Sequence, residues 1–247
     1  MNRTFIDISY IIAIIIEIGL PLLLAIYVWK KYRVSWAIFF LGMALFLFSL
    51  VRIPLNNLLN SVISLNFRGE VAVILTGLIL SFTAGVFEEG ARVLAFGAII
   101  KQRSYEKGIM YGIGHGGGGE SMILVGATVL FNFIVFKFFP YILSDSVLSQ
   151  FENLAWYLPM IGALERIFAI IIQISLSVLV IYAFIKRKYY LIPVAIFYHM
   201  LIDFAAVYIN YKYGIFLTEI SVFIFAVIGI IIICILKPKR DFIKTEI

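Results

Sequence analysis

Seven long apolar runs dominate the chain, and each is near or above the about 20 residues that an α-helix needs to cross a bilayer. Backbone polar groups in hydrocarbon must be bonded within their own segment, so we expect each run to be a helix. Hydrophobic residues make up 63% of the 247 residues and charged residues only 14%, which is too apolar a balance for a soluble domain. The runs are residues 6–29, 34–51, 70–100, 108–136, 159–185, 190–210 and 214–236.

Residues 52–69 are more polar and fit two interpretations, an interfacial helix or an extension of the second run. The sequence therefore predicts an all-α membrane protein with about seven transmembrane helices, or eight if this segment counts separately. We expect one transmembrane domain over residues 1–247, in a multi-pass protein of the cell membrane. Cys234 is the only cysteine, so an intrachain disulfide is excluded.

The basic residues between the runs indicate the orientation of the chain. Thirteen lie in alternate connections and at the C-terminus: Lys30, Lys31, Arg33, Lys101, Arg103, Lys107, Lys186, Arg187, Lys188, Lys237, Lys239, Arg240 and Lys244. The opposite side has five: Arg3, Arg52, Arg68, Lys137 and Lys212. The positive-inside rule then predicts an external N-terminus and a cytoplasmic C-terminus. The net charge is +6, but the basic residues cluster in short loops between apolar runs, so the expected partner is a lipid bilayer and no nucleic acid is expected.

Ionisable side chains remain inside the runs, although a charge at the bilayer centre costs about 2.5–3.5 kcal/mol. Because this cost is prohibitive for groups that face lipid, we expect them to face one another or a wet cavity. They are Glu17, Glu88, Glu89, Arg92, His115, Glu120, Glu165, Arg166, His199 and Asp203.

Helical spacing groups several of these residues. Arg92 follows Glu88 by four residues and Glu89 by three, so it can pair with either on one helix face. Two carboxylates with one arginine leave an acid in excess, which favours a functional role. His199 and Asp203 are likewise four residues apart.

Depth places three of these side chains at a similar level. At about 1.5 Å per helical residue, Glu88, His115 and His199 lie roughly 19, 12 and 16 Å from the predicted cytoplasmic ends of their runs. Asp203, Glu120 and the Glu165–Arg166 pair are expected nearer the outer side.

Other features have simpler interpretations. Glu165 and Arg166 are adjacent and neutralise each other, which favours a structural role, and Glu17 is expected to form a hydrogen bond within the bundle. The spacing of Gly108, Gly112 and Gly116 is typical of close helix contacts. The glycine run 116–119 also weakens the helix, which could admit water beside His115 or break the helix.

Three segments, EEGAR (88–92), YGIGH (111–115) and HMLID (199–203), resemble the ordered motifs of the CAAX-protease and bacteriocin-processing (CPBP) superfamily of intramembrane proteases. The first motif departs from it, with two residues rather than three between Glu-Glu and Arg, as in the PrsW branch, which has lysine there. With GHGGGGE and a later Glu-Arg pair, the set most resembles the YhfC family of intramembrane metalloproteases. The similarity covers about residues 70–210.

The resemblance implies an intramembrane endopeptidase that cleaves a membrane-associated or lipid-modified protein. Glu88 and His115 would activate water, while His199 and Asp203 would bind the oxyanion or share a metal. Glu89 and Arg92 would support Glu88, although the altered spacing leaves open which glutamate is the base. Glu120, Glu165 and Arg166 would be supporting residues.

Chemistry alone leaves alternatives open. Two histidines and a carboxylate can bind zinc, here His115 and His199 with Glu88, but HExxH is absent and the histidines come from different runs. Intramembrane acids and histidines also form the relays of proton- or ion-coupled transporters, although no inverted repeat is apparent. A third alternative is a non-catalytic scaffold related to the anterior-pharynx-defective subunit of γ-secretase.

Overall fold

The computed structural model describes residues 3–238, so Lys239, Arg240 and Lys244 of the predicted cytoplasmic tail lie outside the described residues. Within this range the chain forms helices and no strand, which confirms the all-α prediction. The helices are α1 (Thr4–Tyr32), α2 (Trp36–Ser49), α3 (Arg52–Asn66), α4 (Gly69–Ile99), α5 (Tyr105–Phe138), α6 (Asp145–Glu152), α7 (Leu158–Lys186), α8 (Leu191–Tyr213) and α9 (Ile215–Ile235).

Seven stretches of the described chain are long and apolar enough to cross a membrane. Six of them are single helices, and the second consists of α2 and α3 together, which are separated by Leu50 and Val51. Residues 52–66 therefore extend the second span, as one of the two interpretations held. At about 1.5 Å per residue this span is about 46 Å long, more than the about 30 Å of hydrocarbon, so it must tilt or protrude.

Helix α7 is the centre of the bundle. In its most apolar 18-residue window 61% of the residues are buried, compared with 28% or less in the other six spans. It packs against α1, α4, α5, α8 and α9. A polar side chain on α7 can therefore reach several helices at once.

Glycines let α5 approach its neighbours closely. A Cβ at Gly108 would lie 2.6 Å from Cγ2 of Ile181, and one at Gly112 would lie 2.6 Å from Cα of Ile174, both on α7. On another side of α5, Gly118 and Gly119 face Phe39 and Phe46 of α2. The predicted close contact through small residues is confirmed.

Part of α5 is wound as a π-helix, over Ile113–Gly126. This segment includes both His115 and the glycine run, and the backbone stays helical through it. The alternative that the glycines break the helix is therefore wrong. Shorter π-turns occur at Ile15–Gly19 in α1 and Ala95–Ile99 in α4. Such turns are frequent at functional sites.

Candidate active site

Glu88 of α4 lies where the three sequence motifs meet. Its Oε2 is 3.3 Å from Nε2 of His115 on α5 and 3.8 Å from Nε2 of His199 on α8. All three side chains are buried, with 4% exposure or less. Three helices thus bring one carboxylate and two imidazoles to a common point, as the depth estimate predicted.

The ring of His115 is held on both sides. Phe46 of α2 packs edge-on against it, and Tyr111, one α-helical turn earlier, stacks on it. The Tyr111 hydroxyl is 3.5 Å from Nδ1. A hydrogen on Nε2 makes the imidazole a donor to Glu88 and leaves Nδ1 to accept from Tyr111. These contacts aim Nε2 at Glu88.

Glu89 has different partners from Glu88. Its Oε1 is 2.8 Å from Nδ1 of His199 and 2.5 Å from Nη1 of Arg92. Glu89 and Arg92 are both completely buried. Of the two possible partners of Arg92, the structure selects Glu89. Glu89 thereby orients the second histidine, whereas Glu88 faces both imidazoles.

A second polar group, formed by side chains of α5 and α7, lies next to this cluster. Nη1 of Arg166 is 2.7 Å from Oε1 of Glu120, and Nη2 contacts Glu165. Arg166 therefore pairs with Glu165, as expected, and also with Glu120. A cavity of about 80 Å³ joins this group to the first cluster, and His199 and Asp203 lie along its wall. Nε2 of His199 is 3.6 Å from Oδ2 of Asp203.

Within residues 3–238, Glu17 lacks the expected hydrogen bond at one of its two carboxylate oxygens. It is 2% exposed, and its Oε2 has no hydrogen-bond partner among the described residues. Glu219 on α9, which the sequence reasoning did not single out, is 8% exposed, and its Oε2 also has no hydrogen-bond partner among the described residues. Neither side chain contacts the Glu88 cluster through a hydrogen bond to a described residue.

Comparison with known proteins identifies the family. The model of the family described as YhfC intramembrane metalloprotease matches residues 13–226. The chain belongs to the YhfC family. A relative from Bacillus subtilis (strain 168), described as "Uncharacterized membrane protein YhfC", is 28% identical over 260 residues, which cover 96% of each chain. No solved structure matches the chain.

The YhfC family's description implies a metal, so the fit of the site to one can be examined. Imidazole and carboxylate are zinc ligands by type. However, no group of three or more His, Cys, Asp or Glu side chains within residues 3–238 is arranged to hold a metal ion. Glu88 instead meets donors, because Nε2 of Gln173 lies 3.2 Å from its Oε2 and Nη2 of Arg52 lies 3.0 Å from its Oε1. The residues as arranged do not fit a metal.

Gln173 is the most connected residue that sequence reasoning on this YhfC member missed. From α7 its Nε2 also donates to Glu120, at 2.9 Å, and its Oε1 accepts from Arg92. It therefore joins the two polar groups. A neutral amide costs less in hydrocarbon than a charge, so a search for ionisable residues passes over it. Its isolation within the run IFAIIIQISL is the signal that could have revealed it.

Arg52 is the second missed residue, and it corrects an expectation. It was counted among the basic residues of the outer loops, but it begins α3 and forms an ion pair with Glu88. The two glutamates are therefore matched by two guanidinium groups, those of Arg52 and Arg92. The inference of one acid in excess is wrong, because the second cation comes from another helix. A basic residue directly after an apolar run also fits an interfacial anchor, which hid this role.

Proposed function

We propose that this member of the YhfC family is an intramembrane endopeptidase that uses Glu88 to activate water. The observation that supports this most is the position of Glu88 between Nε2 of His115 and Nε2 of His199, buried among three transmembrane helices. Peptide hydrolysis needs a general base within hydrogen-bond reach of water and a group that relays its proton. A carboxylate beside imidazole supplies both.

The proposed reaction consumes one water and one peptide bond. Water held by Glu88 attacks the carbonyl carbon while the carboxylate takes one of its protons. The π-electron pair of the carbonyl moves to oxygen and forms a tetrahedral oxyanion. As this collapses, the C–N bond breaks and the proton passes from Glu88, directly or through His115, to the leaving nitrogen. The products are a carboxylic acid and an amine.

Glu88 is proposed as the base in preference to Glu89. Glu89 holds Arg92 and His199 through Oε1, and its Oε2 is buried without a hydrogen-bond partner among the described residues, so that oxygen meets no imidazole that could relay a proton. Glu89 acts as a positioning residue that fixes the second imidazole. Asp203 lies on the same cavity wall as His199, and this cavity is the proposed source of the attacking water. About 80 Å³ is room for several water molecules.

The proposed substrate is a membrane-embedded or lipid-modified protein. The reacting groups lie about 12–17 Å along their helices from the ends that carry the basic connections, which is within the hydrocarbon. A peptide must therefore enter the bilayer to reach Glu88. The predicted orientation puts this site nearer the cytoplasmic face.

A palmitoylated, internally quenched peptide mixture in detergent tests this proposal. Glu88→Gln keeps the side-chain shape and removes the base, so hydrolysis should fall by at least about 100-fold while the protein still folds. Glu70→Gln is the matched control, because Glu70 lies on the same helix but pairs with Lys212 and Tyr208. Hydrolysis by Glu88→Gln at the wild-type rate would exclude the proposed base.

Chelation separates this mechanism from a zinc mechanism. Since the site residues do not fit a metal as arranged, 1,10-phenanthroline should leave hydrolysis within about twofold of the untreated rate. The non-chelating 1,7 isomer is the control. Loss of hydrolysis with the first reagent only, restored by added zinc, would assign Glu88, His115 and His199 to a metal centre instead.

One observation also favours a proton-coupled transporter. Polar contacts run without interruption from Glu88 through Gln173 and Glu120 to Arg166 and Glu165. Such chains can relay protons in pumps and transporters. Proteoliposomes containing a pH-sensitive dye decide between the two. Substrate-independent proton flux that Glu88→Gln abolishes, with no peptide cleavage, would favour transport.

A further inference from the structure

The oxyanion of the proposed reaction lacks an obvious donor among the motif residues. An ionised Asp203 carries only acceptors and repels a second negative charge. His199 meets the Glu89 carboxylate through Nδ1, at 2.8 Å. Neutral His199 that donates there has a bare Nε2, and in the protonated ring the Nε2 hydrogen would face the carboxylates of Asp203 and Glu88, at 3.6 and 3.8 Å. Neither group then supplies the hydrogen bonds that an oxyanion requires.

Arg52 carries donors that are free for this task. Its Nη1 donates to the backbone oxygen of Ser49, at 3.4 Å, and to the Ser49 Oγ, at 3.2 Å. Its Nη2 lies 3.0 Å from Oε1 of Glu88, as an ion pair. Nε makes no hydrogen bond to any residue between 3 and 238, and Nη2 meets only the Glu88 carboxylate there. The side chain is 14% exposed, so protein does not enclose it completely.

The break between α2 and α3 delivers this side chain to Glu88. Leu50 and Val51 separate the two helices, and Arg52 is the first residue of α3. Ser49, the last residue of α2, is 1% exposed and its hydroxyl donates to the Phe46 oxygen at 2.6 Å. This anchored serine holds one side of the guanidinium. The other side is left facing Glu88.

We infer that Arg52 is a catalytic residue of the proposed protease, whose guanidinium binds the tetrahedral oxyanion through its Nε and Nη2 hydrogens. The inference rests on the proposed function. Before reaction the cation is paired with the Glu88 carboxylate. When Glu88 takes the proton from water it becomes neutral, and the negative charge appears on the carbonyl oxygen instead. Arg52 then attracts the oxyanion instead of Glu88. This stabilisation exists only once the charge has moved to the oxyanion, so it lowers the energy of the transition state and not that of the bound substrate.

Arg52→Gln tests this by removing the charge while retaining an amide donor. Its turnover number on the palmitoylated peptide should fall by about 100- to 1,000-fold, as for loss of an oxyanion donor, with KM changed little. Arg52→Lys, which keeps the charge, should recover part of this loss. Arg68→Gln is the matched control, because Arg68 is exposed and just precedes α4. It should hydrolyse the peptide at the wild-type rate.

A binding measurement separates catalysis from structure. Once mass spectrometry has located the cleaved bond, a phosphinate replaces it to mimic the charged tetrahedral centre, and an uncleavable methylene-amine replaces it as the ground-state probe. Arg52→Gln should lose at least about tenfold in affinity for the phosphinate and little for the methylene-amine peptide. Equal losses for both probes, or wild-type turnover, would overturn the role of Arg52. A wild-type protein that cleaves no peptide of the mixture would overturn the proposed function as well, whereas cleavage by the wild type with equal probe losses in Arg52→Gln would overturn the role of Arg52 alone.

Discussion

At the scale of single residues, Gln173 connects the Glu88 cluster to the Arg166 group in the bundle core through hydrogen bonds. It is 6% exposed and satisfies Glu88, Glu120 and Arg92 together. Gln173→Leu should destabilise the protein by more than about 3 kcal/mol, because three charged groups each lose a buried partner. Gln102→Leu, on an exposed loop residue, is the control. Thermal unfolding in detergent measures both, and equal stability of the two variants would contradict the connecting role.

At the scale of helices, the contact between α5 and α7 depends on the absence of side chains on α5. Gly112→Ala would place a Cβ 2.6 Å from the Ile174 backbone, which cannot move away as a side-chain tip can. We expect a loss of about 1–3 kcal/mol from overpacking. Gly162→Ala on α7 meets nothing within 4 Å and should be neutral or stabilising, since alanine is the better helix former. Thermal unfolding of the pair measures this difference directly.

At the scale of the whole molecule, the orientation in the membrane stays a prediction from the basic residues. Single cysteines at Gln102 and Asp145, both exposed, in a Cys234→Ser background provide the measurement. An impermeant maleimide added to intact cells should label position 145 and leave position 102 unlabelled until the membrane is opened. Labelling of both positions from outside would contradict an odd number of crossings between them.

The fold could be predicted to the level of seven spans because hydrocarbon leaves the backbone little choice. The break at Leu50 and Val51 could have been read from Pro54, because a proline has no N–H to bond the carbonyl four residues earlier, and the Leu50 oxygen accepts from the Ile53 N–H instead. The site was predictable where ionisable residues stand alone in apolar runs, as with His115 and Glu88. The roles of Arg52 and Gln173 were not predicted, because Arg52 lies at the end of an apolar run and Gln173 is neutral. Their roles emerge only when helices distant in sequence meet.

The π-winding of α5 has a consequence for how this sequence can change. In an α-helix, residues five apart point about 140° away from each other, whereas in a π-helix residue i bonds to i+5 and the two share a side. His115 and Glu120 are five apart, and both reach the α4–α7 polar groups. Deleting one glycine, such as Gly118, would rotate the residues before the deletion by one helical position relative to the residues after it. Such a deletion should abolish function, because His115 and Glu120 would no longer share a side of the helix. The length of this segment is therefore constrained as well as the identity of the glycines at 116–119, where an added Cβ would lie within 3 Å of a neighbouring side chain.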